Sequence, residues 1–96
     1  MSQVPEKIGN VHVHWYTVLD HRHRRTGMCK HVIGEQPLGE VKGLAICHDP
    51  DQVGYYLFYC DEHWNSMTDT WHQTLEDAKD QAEFEYEGSQ RTWISQ

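Results

Sequence analysis

The sequence predicts a single α+β domain, with a four- or five-stranded, mainly antiparallel sheet and one helix from the C-terminal half packed on one face. Three observations carry this expectation. A chain of 96 residues with 38% hydrophobic residues has material for one small core and not two. β-Branched and aromatic residues alternate with polar ones, or run together, in several short segments separated by turn residues. Only one segment, beginning at Thr74, has both a helix cap and a helical apolar stripe.

In chain order, residues 1–10 read as an N-terminal arm. Residues 11–19 (Val-His-Val-His-Trp-Tyr-Thr-Val-Leu) alternate as a half-buried strand, with Val11, Val13, Trp15 and Leu19 expected to face the core. Residues 20–42 are rich in glycine and read as a long mobile loop, with one short edge strand at His31-Val32-Ile33. Residues 43–47 and 53–60 form a strand-turn-strand unit about His48-Asp49-Pro50-Asp51-Gln52, because Pro50 presets its φ and the flanking carboxylates accept local hydrogen bonds. The second of these strands is apolar or aromatic on both faces, Tyr55, Leu57 and Tyr59 on one and Tyr56, Phe58 and Cys60 on the other. Such a strand belongs inside a sheet covered on both sides. A further strand is expected over Met67 to His72.

The Thr74 hydroxyl is placed to accept an N–H of the first turn of a helix running from Leu75 to about Tyr86, and Glu76 and Asp77 suit the positive end of its dipole. Leu75, Ala78, Ala82 and Tyr86 fall within about 80° on the wheel, a stripe that covers a sheet. Gly88 is placed to end the helix with a positive φ, and Arg91 to Ile94 to make a last short strand.

Net charge is −7, but unevenly spread. Residues 1–48 hold six Lys and Arg against four Asp and Glu, and residues 49–96 hold two against eleven. An acidic whole opposes non-specific binding to DNA or anionic membranes. The local pattern leaves three candidate sites. The first is the outer helix face, Glu76, Asp80, Glu83, Phe84 and Glu87, where like charges at helical spacing do not help the helix and one aromatic ring sits among carboxylates. That is the layout of a docking surface for a basic protein partner, with Phe84 as anchor; the alternative is a solvated face. The second is Arg22, Arg24, Arg25 and Lys30, a basic patch for nucleic acid, or else an internal complement to the acidic helix. The third is a metal site drawing on His12, His14, Cys60 and His63, zinc being the cation such donors suit. Against it, Cys47 and Cys60 are expected to lie roughly 17 Å apart along their hairpin and share no ion, and the expected state is without cofactor.

Three cysteines, Cys29, Cys47 and Cys60, are too few and too scattered for a disulfide framework, so reduced thiols and a cytoplasmic location are expected. No segment reads as a leader or a membrane span. No Gly-x-Ser-x-Gly, phosphate-binding glycine loop or His-Glu-x-x-His is present, and pairing Cys60 with His63 or His72 as nucleophile and base rests on composition alone. A non-catalytic protein, monomeric or homodimeric, is the expectation.

The block formed by residues 54–61, 69–78 (Asp-Thr-Trp-His-Gln-Thr-Leu-Glu-Asp-Ala) and 81–88 (Gln-Ala-Glu-Phe-Glu-Tyr-Glu-Gly) resembles small bacterial proteins without an assigned activity. The order of three strands, a Thr-Leu-Glu-Asp-Ala helix and a final strand over residues 43–95 is similar to HicB-type antitoxin domains. The resemblance implies an antitoxin- or immunity-like binding role. The glycine-cysteine turn frequent in those domains is absent here, and no functional residue is carried over from them.

Overall fold

The computed structural model describes residues 1–26 and 40–96, and the backbone of 32–33 and 36–37. The chain forms β1 (Lys7–Ile8), β2 (Val11–Val18), β3 (Arg24–Arg25), β4 (Val32–Ile33), β5 (Gln36–Pro37), β6 (Gly43–Cys47), β7 (Tyr55–Cys60), β8 (Ser66–His72), α1 (Leu75–Glu85), β9 (Tyr86–Glu87), a 3-10 turn (Ser89–Arg91) and β10 (Ile94–Ser95). The main sheet is antiparallel in the order β1-β2-β6-β7-β8, and β10 lies beside the second half of β2. This is the α+β class the sequence predicts. The two shortest strands of the main sheet, β1 and β10, come from the two ends of the chain, where two-residue pairings leave little pattern to read.

β7 lies inside the sheet between β6 and β8, as its two apolar faces require. Both faces are in fact covered. On one, Val41, Leu44, Ile46, Leu57 and Tyr59 meet Ala78, Ala82 and Tyr86 from the helix side. On the other, Ala45, Cys47 and Cys60 meet Ile8, Val13 and Trp64. All five residues of β6 are buried between these two layers.

The second layer is assembled from segments whose sequence reads as connection. Asp61 accepts the backbone N–H groups of His63 and Asn65 at 2.8 and 2.9 Å, closing a tight turn in which Trp64 adopts φ 64°. The left-handed conformation is costly for a bulky residue; here it swings the indole beneath the sheet. A Cβ on Gly43 would lie 2.7 Å from that ring, so only glycine allows the approach. The indole Nε1 donates to the Ser2 carbonyl at 2.7 Å, and the Ser2 N–H donates to the Glu62 carbonyl at 2.9 Å. The N-terminal arm is thus docked rather than loose.

Val11, Val13, Trp15 and Leu19 all pack in a core, as expected, but not on one face of the sheet. Val13 pairs with Cys47 but Trp15 pairs with Ile46, which leaves His14 as an extra, unpaired residue. Such a bulge shifts the alternation by one, so residues on either side of it that share a parity face opposite ways. Val11 and Val13 pack in the second layer, Trp15 and Leu19 in the helix layer, and Tyr16 and Val18 turn to the second layer.

The helix is as its cap and stripe predict. Thr74 Oγ1 accepts the Asp77 N–H at 3.1 Å, and Ala78 and Ala82 are fully buried. The helix end differs from expectation: Tyr86 caps the helix after Glu85 and passes into β9, whereas Gly88, with φ 103°, opens the 3-10 turn that occupies Ser89–Arg91, so the last strand is Ile94–Ser95 and not 91–94. The turn between β6 and β7 is closed by the Gln52 N–H donating to the Asp49 carbonyl at 3.0 Å. Beyond it Gly54, with φ 94°, carries the indole of Trp71 directly on its backbone; a Cβ there would lie 2.3 Å from the ring. Gly54→Ala is therefore expected to cost about 1–2 kcal/mol for the left-handed backbone alone and to displace Trp71. A red shift in tryptophan emission together with a lower urea midpoint checks this; unchanged emission would mean that the indole does not depend on Gly54.

The long connection is less open than its glycines suggest. Within it, β3 pairs antiparallel with β9, setting Arg24 opposite Glu87 and Arg25 opposite Tyr86, and β4 pairs with β5. Mobility over the rest of 20–42 concerns residues largely outside those described, as does His31.

Candidate protein-docking face

Three turns of α1 determine the acidic face. Burial of Ala78 and Ala82 against the sheet directs Glu76, Asp80 and Phe84 outward, and all three are exposed, Phe84 by 48%. Glu87 follows on β9 and is also exposed. None of these carboxylates forms an ion pair among the described residues; Asp80 accepts only a hydrogen bond from Gln90 Nε2 at 3.3 Å. The one lysine of the helix does not offset them. Lys79 Nζ stands 4.0 Å from the centre of the Trp15 ring, a cation–π contact on the inner side.

Glu83 differs from its neighbours. Its Oε2 accepts the Gly88 N–H at 2.8 Å and its Oε1 the Gln90 N–H at 3.0 Å, so the carboxylate caps the 3-10 turn and is spent on the fold. Glu85 points inward, 3% exposed, and accepts the hydroxyl proton of fully buried Tyr59 at its Oε2. The wheel contained that signal: Glu85 lies only about 20° from Ala78.

The basic segment is built into the same end of the helix. The Thr26 N–H donates to the Glu85 carbonyl at 3.0 Å, and Thr26 Oγ1 to the Phe84 carbonyl at 2.7 Å, satisfying acceptors that a helix C-terminus leaves open. Arg22 forks onto Asp20 through Nε and Nη2 at 3.0 and 3.1 Å, which holds the Asp20 carboxyl down at about 2. Arg25 lies over the Tyr86 ring at 5.4 Å. Arg22 and Arg25 thus have partners within the fold, Arg24 faces Glu87 across the ladder, and Lys30 lies outside the described residues. The segment is docked on the C-terminal end of the helix through Thr26 and Arg25, and none of its arginines forms an ion pair with a helix carboxylate among the described residues.

His23 turns its side chain into the fold, which the sequence does not reveal. Its side chain is 2% exposed. Nδ1 accepts the Asp20 N–H at 3.1 Å, so the proton resides on Nε2, which donates to Thr92 Oγ1 at 2.7 Å. Burial pushes its pKa below the ordinary histidine value. The flanking arginines conceal this role, because a histidine between them reads as part of a basic run.

The metal candidates are held apart. His12 Nδ1 pairs with Asp49 at 2.6 Å, His14 Nε2 donates to the His48 carbonyl at 2.9 Å, and His63 Nδ1 meets Ser2 Oγ at 2.9 Å. Cys60 is fully buried in the second layer, and burial pushes its thiol up to about 12. Cys47, also buried, stands four ladder positions away, opposite Tyr56 while Cys60 faces Gly43, one position closer than the turn spacing implies. Among the described residues no three His, Cys, Asp or Glu side chains converge as metal ligands. None of the described helices is long and apolar enough to cross a membrane. Cys29 lies outside the described residues.

Comparison with protein-family models, with curated proteins and with solved structures finds no match for this chain, so the reading of its function rests on the surfaces described above.

Proposed function

We propose that this chain is a small non-catalytic binding protein, of the antitoxin or immunity kind, whose outer helix face docks on a basic protein partner. The observation that carries the reading is Phe84, a ring 48% exposed among the carboxylates of Glu76, Asp80 and Glu87, while the helix's own lysine turns away to Trp15. An apolar anchor within a charged rim is the anatomy of a protein hot spot. The rim supplies steering toward a basic surface and the ring supplies desolvated contact. Support for a non-catalytic role comes from Cys60, the nucleophile considered above, whose buried thiol stays protonated at neutral pH.

The test spares Glu83, since its loss would loosen the 3-10 turn. A variant carrying Glu76→Gln, Asp80→Asn, Phe84→Ala and Glu87→Gln is expected to fold as the native chain does. It should lose at least tenfold in affinity for the proteins that the native chain captures from its host, with capture by the native chain weakening as salt rises. Equal capture by the variant and the native chain would remove the helix face from consideration.

A further inference from the structure

β8 is the free edge of the main sheet: β7 pairs with one side of it, and among the described residues no strand pairs with the other. None of its seven residues is buried. A free edge offers a row of unpaired N–H and C=O groups, a template on which another extended chain can add a strand.

The side chains specify which chain. Asp69 and Trp71 pair with Phe58 and Tyr56 across the ladder and so share the face away from the helix, two residues apart on the edge. Asp69 is exposed and has no ion pair among the described residues. Trp71 is 50% exposed but not loose, because its ring rests on Gly54 and its Nε1 donates to the Val53 carbonyl at 3.3 Å. A carboxylate beside a fixed indole matches one side chain above others: arginine, whose planar guanidinium forks onto a carboxylate and stacks on an aromatic face. The wider charge agrees. Residues 61–78, which hold β8, the turn before it and the start of α1 after it, carry Asp61, Glu62, Asp69, Glu76 and Asp77 and no lysine or arginine. Pairing β8 with β8 of a second copy would set the Asp61-Glu62 end against the Glu76-Asp77 end of its twin, like charge against like. The acidity that disfavours self-pairing is the same feature that admits a basic strand.

We propose that the β8 edge, through Asp69 and Trp71, takes up an extended arginine-bearing peptide segment by strand addition. The proposal shares with the helix-face reading only the sign of the partner's charge. It names a different surface and a different mode of contact, main-chain pairing in place of side-chain docking.

The test titrates the full chain with a capped heptapeptide alternating threonine and arginine, followed by amide and indole NMR shifts. Shifts are expected in residues 66–72 and at the Trp71 indole, and no binding by the peptide with glutamate in place of arginine. Methylating the backbone nitrogens of alternate residues, in each of the two possible sets, should abolish binding for at least one set, since one edge of the peptide must donate to β8. Asp69→Asn, an exposed and isosteric change that keeps the fold, should weaken binding at least fivefold, and Trp71→Ala should do the same. Phe84→Ala should leave peptide binding unchanged while weakening capture of a protein partner, so the two readings fail separately. Shifts confined to α1, undiminished binding by both methylated peptides or by Asp69→Asn, or β8 shifts that follow protein concentration and ignore the peptide would each overturn the proposal.

Discussion

Tyr59→Phe is expected to destabilise the protein by about 2–3 kcal/mol, the range for removing a hydrogen bond to a charged group from a buried site. Tyr59 is fully buried and Glu85 is 3% exposed, so neither group can turn to water when its partner is removed. The Tyr59 hydroxyl donates to Glu85 Oε2, and the Thr70 hydroxyl reaches the Tyr59 oxygen in turn. Thr70 Oγ1 lies 2.7 Å from His72 Nε2, which extends the chain from β8 through β7 to the helix. Phenylalanine keeps the ring and its packing and deletes only the donor, leaving a carboxylate under the sheet short of one proton donor. For a domain near this length each kcal/mol lowers Tm by roughly 4–8 °C, so a fall of about 10–20 °C is expected in a thermal melt. Adding Glu85→Met should recover part of the loss, because removing both polar partners leaves less unsatisfied than removing one. A loss below about 0.5 kcal/mol, the size of an ordinary surface effect, would show that the Glu85 carboxylate does not depend on Tyr59.

That bond also marks where sequence patterns lose their reach. Strand and helix identities were legible wherever side chains alternate along one element: β6, β7 and the capped helix follow from their own residues. Three features arise instead from contacts between distant segments. The bulge at His14 inserts one residue into a perfectly alternating stretch, and nothing in Val-His-Val-His-Trp signals it, because the extra residue is defined only by what β6 places opposite. Trp64 occupies the core beneath Gly43 although its surroundings, Asp-Glu-His-Trp-Asn-Ser, read as a polar turn. The tight turn capped by Asp61 and the left-handed φ of Trp64 together reverse its direction. β3 and β9 are two-residue strands whose pairing ties Arg24 and Arg25 to the helix end, and so short a ladder has no periodicity to detect.

The candidate sites divide along the same line. Exposure of Glu76, Asp80 and Phe84 follows from helical geometry and was legible on the wheel. The roles of Glu83 and Glu85 were not separable by charge: one carboxylate caps a backbone turn and the other lies under the sheet, while the neighbouring Phe84 faces solvent. The edge position of β8 comes from strand order, which a single sequence does not contain. Once that order is known, Asp69 and Trp71 change from unremarkable strand residues to exposed side chains on one face of an open ladder.

The two described thiols make a second large effect accessible to measurement. Cys47 and Cys60 are fully exposed to solvent only after unfolding, and burial in the second layer pushes each up to about 12. In the unfolded chain a thiol titrates at about 8.5. Between those values the folded state binds more protons than the unfolded state, so stability falls as pH rises, by about 1.4 kcal/mol per pH unit for each thiol. Two such thiols give a slope approaching about 2.7 kcal/mol per unit once the unfolded thiols are ionised. Tyr59 acts in the same direction above about pH 10, where an unfolded tyrosine ionises, because burial and the Glu85 carboxylate raise its pKa as well. Urea unfolding under reducing conditions should therefore show a steep loss between about pH 9 and 10.5 of roughly 3–4 kcal/mol, a large share of the roughly 5–14 kcal/mol that a chain of this length holds. The Cys47→Ala, Cys60→Ala double variant will be less stable at pH 7 because it leaves small cavities. Its midpoint should nevertheless vary far less with pH up to about 10, and the slope, not the absolute stability, is the quantity that decides. An alkaline slope as steep in the double variant as in the native chain would assign the loss to other groups and contradict the placement of both thiols in the dry second layer.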